Sequence, residues 1–117
     1  MVYTIKAIIL ENCSYSDAAF KLLQIHNINH EIVNVNQETK HLYKTDKIDT
    51  FPQLYMERED RKGSLLLGGY DELKSTIDLF LHNKYNVNHV KEFMNKYNWS
   101  KKATLRLIQL INRSPFI

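Results

Sequence analysis

The apolar positions change their spacing from one segment to the next, and each change marks an element. "VYTIKAIIL" (residues 2–10) mixes β-branched and aromatic residues into a near-continuous apolar run, the pattern of a strand buried on both faces, as parallel strands usually are. From Ala18 the spacing becomes helical. Ala18, Ala19, Leu22, Leu23 and Ile25 make a stripe, Ser14 or Ser16 is placed to cap it, and Asp17 favours its positive end; Asn27 and Asn29 break it. "HEIVNVN" returns to strand character through Ile32 and Val35. Two strands joined through a helix predict a parallel βαβ unit with a right-handed crossover.

"QETKHLYKTDKI" then reads as a polar, weakly amphipathic helix, and "TFPQLYM" as a strand opened by Pro52, which cannot donate to a ladder. A charged turn, "EREDRK", leads to "GSLLLGG", the returning antiparallel strand. "YDELKSTIDLFLHNK" places Leu73, Ile77, Phe80 and Leu81 at helical spacing, with Asp71 and Glu72 in the first turn. Two more helices follow. Val87, Val90, Phe93 and Met94 form one stripe and Leu105, Leu107, Ile108 and Ile111 the other, with Ser100 a cap between them and Pro115 beyond the end. The order β-α-β-α-β-β-α plus a helical tail predicts an α/β domain over residues 1–83 and a basic helical C-terminal extension over residues 84–117, packed on the domain or appended to it.

Composition narrows this little, but charge and cysteine usage do more. The length of 117 residues suits one domain, and 25% charged with 44% apolar residues is ordinary for a globular chain. Residues 1–83 hold nine Lys/Arg against twelve Asp/Glu, a balance of −3; residues 84–117 hold seven against Glu92 alone, a balance of +6. The one cysteine, Cys13, excludes an intramolecular disulfide and any zinc site of several thiolates. A lysine within the first apolar run argues against a secretory signal, no run reaches the roughly 18 residues of a membrane span, and a free thiol points to a reducing, cytoplasmic compartment. His26, His30, His41, His82 and His89 show no metal-ligand spacing and read as surface residues.

Cys13 falls at the turn from the first strand into the first helix. Unpaired backbone N–H groups and the helix dipole stabilise negative charge at such a turn, and thiols placed there are nucleophilic near neutrality. Three segments in the right order then resemble the glutaredoxin family: Cys13-Ser14-Tyr15-Ser16 in place of Cys-Pro-Tyr-Cys, Thr50-Phe51-Pro52 followed by Gln53 in place of the Thr-Val-Pro segment, and Gly68-Gly69-Tyr70-Asp71 for Gly-Gly-x-Asp. The resemblance covers about residues 3–83. It implies a thioredoxin fold, with a central mixed four-stranded sheet flanked by helices, and a cis bond before Pro52. It further implies Cys13 as nucleophile and glutathione held by Tyr15, the backbone of Phe51 and Pro52, Gly69 and Asp71, with no role for Gln53.

Two departures shape the expected activity. Ser16 replaces the second cysteine, so the resemblance implies a monothiol, glutathione-dependent oxidoreductase that reduces protein–glutathione mixed disulfides. Leu10 stands where the family carries a lysine for the glycine carboxylate of glutathione; Lys40, Lys44 or Lys47 would be the substitutes, although solvated lysines are the favoured reading. A second reading is a dimer bridged by a [2Fe-2S] cluster, with Cys13 of each chain and two glutathione thiolates as ligands; otherwise the protein is a monomer without metal. A third is a redox-weak adaptor whose Lys91, Lys96, Lys101, Lys102, Arg106 and Arg113, interleaved with Tyr97 and Trp99, hold a partner such as nucleic acid. Against it, the aromatic residues are expected to pack inward while the lysines face water.

Overall fold

The computed structural model of the chain describes residues 3–60 and 63–112. Four strands, β1 (Tyr3–Leu10), β2 (His30–Val35), β3 (Gln53–Arg58) and β4 (Ser64–Gly68), form one sheet in the order β2-β1-β3-β4. β1 pairs in parallel with β2, from Ile5 opposite His30 to Leu10 opposite Val35, and antiparallel with β3; β3 pairs antiparallel with β4. Helices α1 (Ser14–Ile25), α2 (Tyr70–Phe80), α3 (Val87–Tyr97) and α4 (Lys101–Asn112) complete the α/β chain. Sheet order and strand directions are those of a thioredoxin-like fold, with two helices added after it.

The core explains the pattern. Ile5 and Ala7, two apart and so on one face of β1, are enclosed with Ala19 and Leu23 of α1, Leu54 and Met56 of β3, and Leu73, Ile77 and Phe80 of α2. Val90, Phe93, Trp99, Leu107, Ile108 and Ile111 belong to the same cluster, so the extension shares its core with the sheet. Phe93 is the hinge of this packing, its ring centroid 5.4 Å from both Phe80 and Trp99. Asn112 Nδ2 donates to the Phe80 carbonyl at 2.9 Å and fastens the end of α4 to the end of α2. Ile25, Val87 and Leu105, counted in the apolar stripes, are instead exposed.

Turn chemistry sets most boundaries. Asn27 and Asn98 adopt left-handed conformations, φ 57° and 56°, and end α1 and α3; asparagine visits that region more readily than other non-glycine residues. Asn86 caps α3 by accepting the His89 N–H at 3.0 Å, and Ser100 Oγ accepts the Ala103 N–H at 3.1 Å in the first turn of α4. Pro115 and Arg113 lie outside the described residues.

Two expectations are corrected. The helix expected over residues 37–48 is one 3-10 turn, Lys40–Tyr43. Asn36 Oδ1 accepts the N–H groups of Glu38 and Thr39 at 2.9 Å each, and Thr45 Oγ1 accepts those of Lys47 and Ile48 at 3.2 and 3.1 Å, so side chains take the backbone donors a longer helix would use. Neither Ser14 nor Ser16 caps α1: the N-cap is Cys13, with no side-chain capping bond, and the Ser16 hydroxyl points back to the strand.

Candidate functional site at the N-terminus of α1

Asn12, at φ 58°, turns the chain from β1 into α1 and leaves Cys13 as the last extended residue before the helix. The Cys13 carbonyl accepts the Asp17 N–H at 3.0 Å, while the N–H groups of the first turn have no intrahelical carbonyl to bond. The half-buried thiol therefore sits where the helix presents unpaired donors. It donates to the Phe51 carbonyl across an S···O distance of 3.8 Å, a weak bond of the kind thiols make. The loop carrying Cys13 is closed from below: Ser16, fully enclosed, accepts the Leu10 N–H at 3.0 Å.

The segment opposite the thiol is the entry to β3. The Phe51–Pro52 bond is cis, and Pro52 and Gln53 are buried. Gln53 has a structural task that its sequence context did not reveal: Nε2 donates to the Tyr43 carbonyl at 2.9 Å, tying the 3-10 turn to the edge on which Phe51 and Pro52 lie. Its Oε1 is buried without a hydrogen-bond partner among the described residues.

The third segment arrives through β4. A register shift on β3 between Leu54 and Tyr55, opposite Gly68 and Leu66, bends the strand end before α2 begins. A β-carbon added to Gly69 would lie 3.5 Å from the Pro52 carbonyl oxygen, so this glycine runs alongside the cis-proline edge. Its N–H donates to Glu72 Oε1 at 2.7 Å; the donors left at the N-terminus of α2 are those of Tyr70, Asp71 and Glu72, which have no carbonyl of the helix to bond. Asp71 is exposed in that first turn.

Cys13, Phe51, Pro52 and Gly69 thus converge on one edge. Tyr15, 61% exposed, leans across the opening with its ring 6.1 Å from that of Tyr70. The Tyr15–Tyr70 pair was not foreseen, because Tyr70 occupies the variable position of its segment; an aromatic residue there, matching Tyr15, was the available signal.

The Leu10 side of the thiol has a different character. Leu10 is half-buried at the end of β1, and beside it a cleft of about 400 Å³ is lined by Ile9, Leu10, Glu11, Asp17, Asn34, Val35 and Asn36. Among the described residues its lining has two carboxylates and no cation. Lys44 and Lys47 are exposed in the loop after the 3-10 turn.

Among the described residues no group of three or more His, Cys, Asp or Glu could hold a metal ion, so Cys13 offers one sulfur and a cluster would need three from elsewhere. Among them also no helix is long and apolar enough to cross a membrane. Trp99 is 6% exposed and Tyr97 stacks on Phe93 with ring centroids 4.4 Å apart, so the aromatic residues interleaved with the basic ones are engaged in packing. No protein-family model and no curated protein matches the chain.

Proposed function

We propose that the protein is a monothiol, glutathione-dependent thiol–disulfide oxidoreductase of the glutaredoxin kind, acting on protein–glutathione mixed disulfides. The observation that carries this reading is the position of the Cys13 sulfur: at the unpaired N-terminus of α1, 3.8 Å from the carbonyl that precedes the cis-proline. Unpaired N–H groups at a helix N-terminus face the negative charge that passes through the sulfur during exchange. Once the thiol has given up its proton, the Phe51 carbonyl loses that donor and is open to a peptide N–H, so an extended peptide can lie along the edge as an added strand does. The cysteinyl unit of glutathione fits there, and the donors of Tyr70 and Asp71 at the N-terminus of α2 suit the γ-glutamyl carboxylate.

The thiolate of Cys13 attacks the glutathione sulfur of the mixed disulfide. That S–S bond breaks, a bond from Cys13 to glutathione forms, and the protein sulfur leaves as a thiolate and takes up a proton. A second glutathione, as thiolate, attacks the glutathione sulfur held by Cys13; oxidised glutathione departs with both sulfurs and Cys13 is restored. One protein–glutathione disulfide is reduced and one glutathione thiol is oxidised, leaving as oxidised glutathione with the glutathionyl group the protein has shed. Ser16 has no sulfur with which to compete for the intermediate.

The test is glutathione-dependent reduction of a small mixed disulfide by wild type and Cys13→Ser, with the glutathione adduct on Cys13 sought by mass spectrometry. We expect the variant to fall to the uncatalysed rate and the adduct to form only on wild type. Equal rates for the two proteins would overturn the reading. A brown protein with visible absorbance after anaerobic purification would direct attention to the cluster-bridged dimer instead.

A further inference from the structure

At the opposite end of β1 from Cys13 lies a second cleft, of about 240 Å³, between the β3–β4 edge of the sheet and the start of α4. Tyr3 opens β1 and Leu10 ends it, so eight residues at about 3.3 Å each separate this cleft from the thiol by roughly 25 Å. The walls divide by chemistry. Tyr3, Met56, Leu65 and Ala103 are apolar or aromatic; Arg58, Lys102 and Arg106 are cationic, and none of the described lining residues is acidic. Asp60, which pairs with Arg58 Nη2 at 2.7 Å, is outside the lining.

Two features hold the cations in place. The Arg106 guanidinium lies over the Tyr3 ring, Cζ 5.8 Å from its centroid, and Nη1 donates to Gln109 Oε1 at 3.3 Å; a guanidinium held on an aromatic face is pre-oriented for an anion. The cleft also takes in the start of α4. There Ser100 accepts the Ala103 N–H with its hydroxyl and the Thr104 N–H with its carbonyl, which leaves the N–H groups of Lys101 and Lys102 as the unpaired donors of that terminus.

We propose that this cleft binds a small phosphate monoester, its phosphate among Arg58, Lys102 and Arg106 and its carbon body on Tyr3, Met56 and Leu65. Lys102 and Arg106, beside an Arg58 whose charge Asp60 already meets, with no carboxylate among the described lining residues, favour an anion, and arginine matches phosphate oxygens in a bidentate way. The apolar floor favours an ester over the bare ion. The volume, below the roughly 300 Å³ at which pockets for drug-sized ligands begin, limits the carbon body to a single ring or short chain. A nucleic acid strand is the poorer fit, since Trp99 is enclosed, Tyr97 packs on Phe93 and neither lines the cleft.

Titration calorimetry on the full chain with phenyl phosphate, inorganic phosphate and a single-stranded oligonucleotide tests this. We expect saturable binding of phenyl phosphate, weaker binding of inorganic phosphate, and about a tenfold loss of phenyl phosphate affinity in both Lys102→Gln and Arg106→Gln, the loss expected for one charge-assisted hydrogen bond. Lys102 is exposed, so its variant keeps the test decisive if Arg106→Gln disturbs the packing on Tyr3. No saturable binding, equal affinity for inorganic phosphate, affinity unchanged in both variants, or tighter and more salt-sensitive binding of the oligonucleotide would each overturn the proposal.

Discussion

The Ser16 hydroxyl accepts the backbone N–H of Leu10 at 3.0 Å, and so joins the two departures from the glutaredoxin pattern that bear on the proposed activity. Ser16 is fully enclosed; its oxygen satisfies the last N–H of β1 and closes the loop that carries Cys13. Ser16→Ala removes the acceptor and leaves that N–H unmet, a change worth about 1–3 kcal/mol of stability, which urea unfolding would register. Turnover of a small mixed disulfide should survive, because the hydroxyl takes no part in the exchange. Unchanged stability would mean that water reaches Leu10 and the bond closes nothing.

Leu10 also marks the weak point of the glutathione binding we propose. Among the described residues the cleft beside it holds Glu11 and Asp17 without a cation, whereas a glycine carboxylate approaching from that side needs one. Leu10→Lys is expected to lower the KM for glutathione, and Glu11→Lys, at an exposed position, to do the same without touching a half-buried residue. Raised salt should erase both gains, since exposed charges are screened. If neither variant lowers KM, the carboxylate does not come to this side.

Much of this architecture was legible because strands and helices here bury one clear stripe each. The β1 run, the α2 stripe and the buried Val90, Phe93, Leu107, Ile108 and Ile111 of α3 and α4 follow directly from apolar spacing, and the three site segments lie at element ends that Gly68, Pro52 and Cys13 mark by themselves. The segment after β2 misled because its helix-like polarity carries Asn36 and Thr45, whose side chains bond their own backbone and stop the helix at one turn. The role of Gln53 was hidden for another reason: its partner is the carbonyl of Tyr43, ten residues earlier, and no local pattern records a contact to a backbone carbonyl. Ser16 stands near a helix start as a cap would, but Cys13 is the N-cap and Ser16 already lies inside the helix.

Gly68 is required by shape. Its φ is +135°, and a β-carbon there would come within 2.6 Å of Glu72 Cγ and Oε1. That carboxylate cannot yield freely, since it accepts the Gly69 N–H at 2.7 Å. Gly68→Ala should therefore cost about 1–3 kcal/mol, the range for a residue forced into a sparsely populated backbone region. Thermal unfolding compared with Glu72→Ala separates the two contributions: if the clash matters, adding Glu72→Ala to Gly68→Ala recovers part of the loss. Purely additive effects would show that only backbone conformation is at stake.

Tyr55 supplies a pH dependence. Burial first, and the nearby Glu57 carboxylate second, push its phenol above the ordinary value. The folded state thus holds this proton more tightly than the unfolded chain does. The resulting stability is complete below about pH 10, the unfolded value, and is lost as pH rises through the higher folded value. Urea midpoints at rising alkaline pH should fall less steeply in Tyr55→Phe than in wild type; parallel curves would remove Tyr55 as the cause.

The extension cannot be treated as a detachable tail. Phe93 is 3% exposed and packs on Phe80, itself fully enclosed, while Ile108 and Ile111 belong to the cluster that holds Ile5 and Ala7 of the sheet. Phe93→Ala is expected to cost about 3–5 kcal/mol, the usual loss for a buried aromatic side chain, seen as a lowered urea midpoint. Removing residues 84–117 uncovers Phe80 together with the rest of that apolar surface, so the truncated chain should lose its cooperative unfolding transition. A truncation that unfolds cooperatively near the wild-type midpoint would instead show two independent units. Charge variants such as Lys91→Gln with Lys96→Gln, both exposed on α3, are therefore the sound way to ask whether the basic surface binds heparin or nucleic acid. They alter the field and leave the packing of Phe93 on Phe80 and Trp99 in place.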